Sequence, residues 1–327
     1  MGQRHYKAYR QIGVEVVAIC DWKKENIQKF LPDFPLEHSY DDYQELLRNE
    51  KIDIVSVVTN GPTHAEVTIA ASNAGVENIL CEKPMGISLK SAQEIIDICS
   101  KNNTRLAVNH IKRQSSDYKK LKELIKSGLI GELKHIYFSC GSTGLGNFAI
   151  HFFDIARYLT DSEPEWTVGF IDKTGTPNPR GAHFADPGGY GIIMFKNGVR
   201  FLLDSSEDTG VQYSFQIVGT YGRVIIDELN ASWQIRARTE EDKDIPLTRY
   251  GTDMPPVPFD AEEYDIVTLT GNGLKELLEG NEISSKGIDG KKSLEMVLSF
   301  HISDAAGNSR IYFPIDAQYE DKEINIA

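Results

Sequence analysis

The chain has 327 residues, enough for about two domains with a core in each. Forty-eight acidic against 35 basic residues leave a net charge of −13, so the acidic surface argues against nucleic acid and anionic membrane and for small molecules or further copies of the chain. No apolar run approaches the roughly 18 residues of a membrane span, and four scattered cysteines without a CxxC pair, behind an N-terminus with no apolar signal core, fit a reducing cytoplasm.

Residues 14–20 (VEVVAIC) and 52–58 (IDIVSVV) read as buried strands, the first ending in Asp21 and the second in Thr59-Asn60-Gly61-Pro62. Between them Asp41-Asp42 opens a capped helix, and beyond them Pro62 stands at a helix start with Gly75 past its end. Residues 78–81 and 105–109 continue the strands, separated by a helix carrying Leu89, Ala92, Ile95, Ile96 and Cys99 at helical spacing. Strand and helix in alternation predict a parallel, doubly wound sheet over residues 1–110.

After about residue 130 hairpin signals take over, clearest where YGIIMF and VRFLLD flank Lys196-Asn197-Gly198. Residues 111–327 therefore read as an α+β domain with a large, open, mainly antiparallel sheet. Helices are expected near 147–159, 272–279 and 291–302, the last packing back on the first domain.

A dinucleotide-binding sheet has a glycine turn after its first strand and an acid about 20 residues on for the adenosine ribose. Here Asp21 supplies the acid, 19 residues after Gly2, and GQRHYKAYRQIG reads as the helix that follows the turn. Gly2 stands where the third glycine belongs, so the first strand and the other two glycines are missing. A buried strand of this kind contributes about 8–15 kcal/mol of burial. The expectation is that Met1 is an internal methionine of a longer natural protein, or that something else fills the slot.

Thr59-Asn60-x-Pro62-x-His64, Cys81-Glu82-Lys83-Pro84, Asn109-His110-Ile111-Lys112-Arg113 and His151-x-x-Asp154 together resemble the Gfo/Idh/MocA family of NAD(P)-dependent sugar and cyclitol dehydrogenases. The resemblance covers essentially the whole chain. It implies a Rossmann domain followed by a substrate domain whose open sheet often mediates oligomers, here a homodimer or homotetramer. Carried onto this sequence, it gives Gly2 and Asp21 to the cofactor phosphate and ribose, and Thr59, Asn60, His64, Glu82 and Lys83 to its nicotinamide side. An acid at position 21 favours NAD, while Lys23 and Lys24 leave NADP open.

At 100° per residue Asn147, His151, Asp154 and Tyr158 form one polar stripe within about 60° of arc, flanked on both sides by apolar residues. An imidazole in such a stripe is a candidate proton acceptor. In the family an Asp commonly precedes this histidine by four residues; here that place holds Asn147, which cannot stabilise an imidazolium by charge, with Asp154 one turn on as a substitute. The implied chemistry is oxidation of a secondary alcohol on a sugar-like ring. His151 takes the hydroxyl proton, and Lys83 steadies the same oxygen. Asn147, Asp154 and Arg113 complete the expected substrate contacts, with Lys112 and Trp166 as further candidates.

Gly141-Ser-Thr-Gly144-Leu-Gly146 imitates a second phosphate loop imperfectly, and His151 with Asp154 gives too few ligands for a metal. Two rival readings stay open: a noncatalytic ligand-binding relative with impaired cofactor binding, and glycoside cleavage through transient NAD-dependent oxidation.

Overall fold

The predicted alternation of strand and helix is present in a computed structural model, which describes residues 1–141, 144–175, 184–210, 213–248, 251–262 and 265–326. The chain divides into two compact units. The first comprises Met1–Gln114, Asp265–Leu294 and Glu320–Ala327; the second comprises Ser115–Tyr264 and Glu295–Tyr319. Where the sequence suggested one cut near residue 110, the chain thus returns to the first unit after the sheet of the second.

In the first unit, helix α1 (Gly2–Gln11) precedes β1 (Ala18–Cys20), α2 (Lys24–Phe30), β2 (His38–Tyr40) and α3 (Tyr43–Asn49). There follow β3 (Ile54–Val57), α4 (Gly61–Asn73), β4 (Asn78–Cys81), α5 (Leu89–Lys101) and β5 (Arg105–Val108). All strand pairing here is parallel, but β1 pairs only with β2, and β3, β4 and β5 form a separate ladder. The doubly wound sheet is in two pieces. Burial follows the same line: β4 is buried at every residue, whereas β1 is half-buried throughout and β3 at three of its four positions.

Local signals explain the helix ends. The Asp42 side chain accepts from the Gln44 backbone N–H at the start of α3, and Ser88 with Ser91 forms a reciprocal capping box on α5. Leu89, Ala92, Ile95 and Cys99 are the buried face of α5, as their spacing predicts. On another face of the ladder Ala8 and Tyr9 of α1 cluster with Leu80 and Ala107 and with Leu274 and Leu277 of a later helix. That apolar contact is why the chain returns.

The second unit holds α6 (Ser116–Lys126), β6 (Leu133–Ser139), α7 (Ile150–Thr160), β7 (Pro164–Ile171), β8 (Gly189–Phe195) and β9 (Arg200–Asp204). It continues with β10 (Ser214–Gly219), β11 (Gly222–Asp227), β12 (Ser232–Ala237) and β13 (Pro256–Val257). After α8 (Ile266–Leu278) in the first unit comes α9 (Gly287–Ala305), which contributes its first residues to the first unit and the rest to the second, followed by β14 (Ile311–Tyr312). Nine strands pair in the order β13-β12-β11-β10-β6-β9-β8-β7-β14, antiparallel except for β6 with β9. Asn197-Gly198 makes the β8–β9 hairpin, with Gly198 at φ 84°.

Alternation along these strands separates two faces. Ile136, Phe138, Phe201, Phe215 and Ile217 are fully buried on the inner one. There Phe138 stacks on Phe152 of α7 with ring centroids 3.7 Å apart, and each such ring contributes about 1.5–3 kcal/mol of burial. Helix α7 is thereby fixed on the sheet.

Candidate active site

The carboxyl ends of β3, β4 and β5 lie side by side. The Glu82 N–H donates to the Val57 carbonyl at 2.9 Å, and the Asn109 N–H to the Cys81 carbonyl at 2.8 Å. Ligands of doubly wound sheets bind at such strand ends. Lys83 stands here, half-buried.

Glu82, expected on the cofactor surface, is instead 5% exposed and turned into the protein. Its Oε1 accepts from His5 Nε2 at 2.9 Å and from Asn109 Nδ2 at 2.8 Å, while Oε2 accepts the backbone N–H of Lys83 at 3.3 Å. Burial pushes its pKa up. The His5 hydrogen bond, the charges of His5 and Lys83, and the Asn109 bond outweigh burial and bring it down to about 2. The carboxylate thus binds the Lys83 backbone from inside the protein.

His64, also expected beside the nicotinamide, is 2% exposed. Its Nδ1 lies 2.6 Å from the Pro84 carbonyl oxygen and its Nε2 2.9 Å from that of Thr59. Both neighbours only accept, and a neutral ring has one N–H to donate. Burial lowers the pKa of His64 against the pull of those two carbonyls. This residue ties the end of β3 to the Lys83-Pro84 segment and shows no free edge to a ligand.

Thr59 and Asn60 remain exposed at the end of β3, where Thr63 Oγ1 donates to Thr59 Oγ1 at 2.8 Å. Asp21 ends β1, as predicted. Its carboxylate accepts from the Lys23 N–H and from Asn26 Nδ2, both at 2.9 Å, and each oxygen retains a lone pair for a ribose hydroxyl. Gly2 opens α1, which has no side-chain cap; a Cβ there would sit 4.0 Å from Val58, ordinary contact rather than a clash. The acid and the open helix start fit a dinucleotide.

Arg113 and Lys112, expected to meet substrate, lie within the first unit. Both are buried, and the Arg113 guanidinium is committed to Asp289 at 3.3 Å and the Ser284 carbonyl at 3.1 Å. A buried guanidinium keeps such partners because stranding its charge is costly.

In the second unit the polar stripe begins on a wider turn than 100° spacing assumes. Residues Leu145–Ala149 form a π-helical turn that runs into α7, an insertion frequent at functional sites. Asn147 precedes α7 on that turn, so its angular place relative to His151 differs from the predicted one. Asn147, His151 and Tyr158 are half-buried, and Asp154 is 1% exposed. The Phe148 and His151 rings meet edge to face at 6.5 Å, and Lys122 Nζ lies 4.0 Å from the Tyr158 ring.

The glycine loop before this turn does hold an anion, one belonging to the protein. Asp186 Oδ1 accepts the Gly146 N–H at 2.8 Å, its Oδ2 accepts the Asn147 N–H at 2.6 Å, and the Pro187 carbonyl accepts the Leu145 N–H at 3.0 Å. Ser142 and Thr143 of that loop lie outside the described residues. Among the described residues no group of three His, Cys, Asp or Glu side chains forms a metal site. Sequence reasoning missed Asp186, which no local spacing links to the loop. His5 was within reach, a histidine three residues after Gly2 on the helix over the sheet.

Residues 1–110 match the family model for the "Oxidoreductase family, NAD-binding Rossmann fold", Gfo/Idh/MocA. That match covers about a third of the chain. Inositol 2-dehydrogenase of Salmonella typhimurium is 34% identical over 122 residues, which are 37% of this chain and 36% of that protein. The match thus spans little more than a third of that relative's length. D-Apiose dehydrogenase of Paraburkholderia graminis is 24% identical over 94% of this chain and 86% of its own. The solved structure of levoglucosan dehydrogenase in complex with NADH and levoglucosan superposes with a TM-score of 0.81, at 20% identity, over 96% of each chain. At that identity the superposition establishes the fold alone.

Proposed function

We propose that this protein is a Gfo/Idh/MocA-family, NAD-dependent dehydrogenase of a secondary alcohol on a sugar or cyclitol. The observation that carries the reading is Lys83, held at the carboxyl end of a parallel sheet by a buried carboxylate, in a chain whose first 110 residues match an NAD-binding oxidoreductase family. The names of the relatives, which act on inositol, apiose and levoglucosan, support the substrate class.

Asp21 would hold the adenosine ribose, the N-terminus of α1 with Gly2 the phosphates, and Thr59 and Asn60 the nicotinamide side. Bound NAD supplies the acceptor for the carbinol hydride. His151 takes the hydroxyl proton as the C–H bond breaks, leaving a ketone and an imidazolium. The Lys83 ammonium is suited to steady negative charge growing on a substrate oxygen. Asn147 donates its side-chain amide to a neighbouring hydroxyl, and Asp154, one turn beyond His151, orients the stripe.

A fluorescence titration with NADH, followed by turnover on myo-inositol, D-apiose and levoglucosan, tests the reading. Saturable binding and turnover lost in both Lys83→Ala and His151→Ala support it. Full turnover in either variant removes that residue from the mechanism. Asn147 in place of the family's Asp favours the second reading, a ligand-binding relative without turnover, which polyol binding with no NADH binding would select.

The outer face of the large sheet fits a second copy of the chain. Across adjacent strands Val168, Ile192, Leu202 and Tyr137 stand in register on that face, with Leu202 37% exposed. A continuous apolar row of this kind marks an interaction surface. The four cysteines are free thiols, in keeping with a reducing cytoplasm.

A further inference from the structure

Four polar groups of the first unit lie in a chain of hydrogen bonds that ends beneath Lys83. Tyr9 Oη is 2.9 Å from Ser56 Oγ, which is 3.0 Å from His5 Nδ1, and His5 Nε2 is 2.9 Å from Glu82 Oε1. An ionised carboxylate only accepts, so the proton between the last two belongs to His5 Nε2. His5 Nδ1 then accepts from the Ser56 hydroxyl, and Ser56 accepts from the Tyr9 phenol, whose ionisation burial opposes. Each of the four groups thus has a hydrogen-bond partner within the chain.

Three contacts fix the Glu82 carboxylate in place: His5 from α1, Asn109 from the end of β5, and the backbone N–H of Lys83 itself. We propose that Glu82, gripped by His5 and Asn109, is the positioning residue for Lys83, fixing where its amine stands and supplying the opposite charge beside it. This rests on the reading of Lys83 as the amine that steadies the developing oxyanion. A buried carboxylate is costly to desolvate and stays ionised only with partners of this kind around it. One placed next to a reacting cation gives that cation a permanent counter-charge inside the protein, where water screens it little. Among the described residues, His64 on α4 and Cys81 on β4 also lie near Glu82. Burial holds His64 toward its neutral form and pushes the Cys81 thiol up to about 12, so neither supplies a competing charge near neutral pH.

The test is reductive ¹³C-methylation of the lysines and an NMR titration of each methyl signal, with the Lys83 signal assigned by its loss in Lys83→Arg. In Glu82→Gln the acid constant of Lys83 is expected to rise about tenfold or more, with the other lysines unmoved. In Glu82→Asp, which keeps the charge, it recovers most of that change. An unmoved Lys83 signal in folded Glu82→Gln overturns the proposal. Should Glu82→Gln fail to fold, protein labelled with ¹³C at the glutamate carboxyls gives the reciprocal measurement: the Glu82 signal must step at the pH where Lys83 titrates, and its absence overturns the proposal equally. Neither measurement needs NAD or substrate. Turnover retained by Lys83→Ala overturns the catalytic reading, whereas the titrations decide the positioning itself.

Discussion

Asp186 and Asn147, 39 residues apart, are joined by a hydrogen bond of 2.6 Å from the Asn147 backbone nitrogen to the Asp186 carboxylate. The same carboxylate takes the Gly146 N–H, so it caps the turn from which α7 and His151 project. Charge-assisted bonds to backbone N–H groups are stronger than neutral ones. Asp186→Ala should lower the unfolding free energy by about 2–4 kcal/mol, and Asp186→Asn, which retains an acceptor, by less. Gly144 is part of the same device. It has φ 76°, and a Cβ there would lie 2.2 Å from Asp186 Oδ2. Gly144→Ala should therefore also destabilise, by about 1–3 kcal/mol. Urea unfolding of the three variants checks the order; an Asp186→Ala as stable as the parent chain would remove the cap from the argument.

Glu82 links stability to acid pH. Its folded pKa of about 2 lies below the ordinary 4.5, so the folded state binds its proton later than the unfolded chain does. The stabilisation is complete above pH 4.5 and is lost as pH falls through the folded value. For a shift of this size it amounts to about 3 kcal/mol. Glu82→Gln should have a flatter stability curve between about pH 2 and 5 than the parent, read by chemical denaturation at each pH.

His64 works nearer neutrality. Its folded pKa is lowered from 6.5, with burial as the main cause. Below 6.5 the unfolded chain takes up a proton that the folded protein resists, so stability is full above that pH and declines as pH falls. His64→Gln removes the titration while keeping an amide donor for one carbonyl. Its unfolding free energy should lose the dependence between pH 5 and 7 that the parent shows; matching slopes in the two proteins would disprove the assignment.

The halved sheet predicts uneven protection. β4 has a parallel neighbour on each side and is buried throughout, whereas β1 pairs with β2 alone. A two-stranded piece is marginal without further cover. Amides of β1 and β2 should exchange with solvent at least ~100-fold faster than those of β4 and β5, through local opening. Mass-resolved hydrogen exchange over residues 18–40 and 78–108 measures this, and equal protection would mean that the two pieces open together.

Much of this was legible in the sequence because it rested on local pattern. The alternation of strand and helix gave the parallel pairing of the first unit, and the apolar period of α5 named its buried residues. Chemistry that depends on distant partners was not legible. Glu82 and His64 occupy a motif whose spacing says where they stand but not that His5 and the Thr59 and Pro84 carbonyls turn them inward. The Arg113 ion pair was not legible because Asp289, its partner, arrives 176 residues later with the returning segment. The π turn before α7 also escapes a reading that assumes one helical period.

The outer sheet face gives the last prediction. Leu202 on β9 stands opposite Ile192 on β8 and Tyr137 on β6, in a row whose other side is a filled core. Its neighbours are half-buried and it is 37% exposed, so a charge placed there meets solvent in a monomer and apolar surface in a face-to-face dimer. Leu202→Lys should leave the thermal unfolding of the isolated subunit within about 0.5 kcal/mol of the parent, as surface changes generally do. In a dimer built on this face the lysine of each copy is buried against the partner's copy of the same apolar patch, because an isologous interface uses one patch twice. Two desolvated ammonium groups then oppose association. Sedimentation equilibrium should show the parent as a dimer or larger and Leu202→Lys as a monomer; a variant that assembles as the parent does would direct the search for the interface to another face.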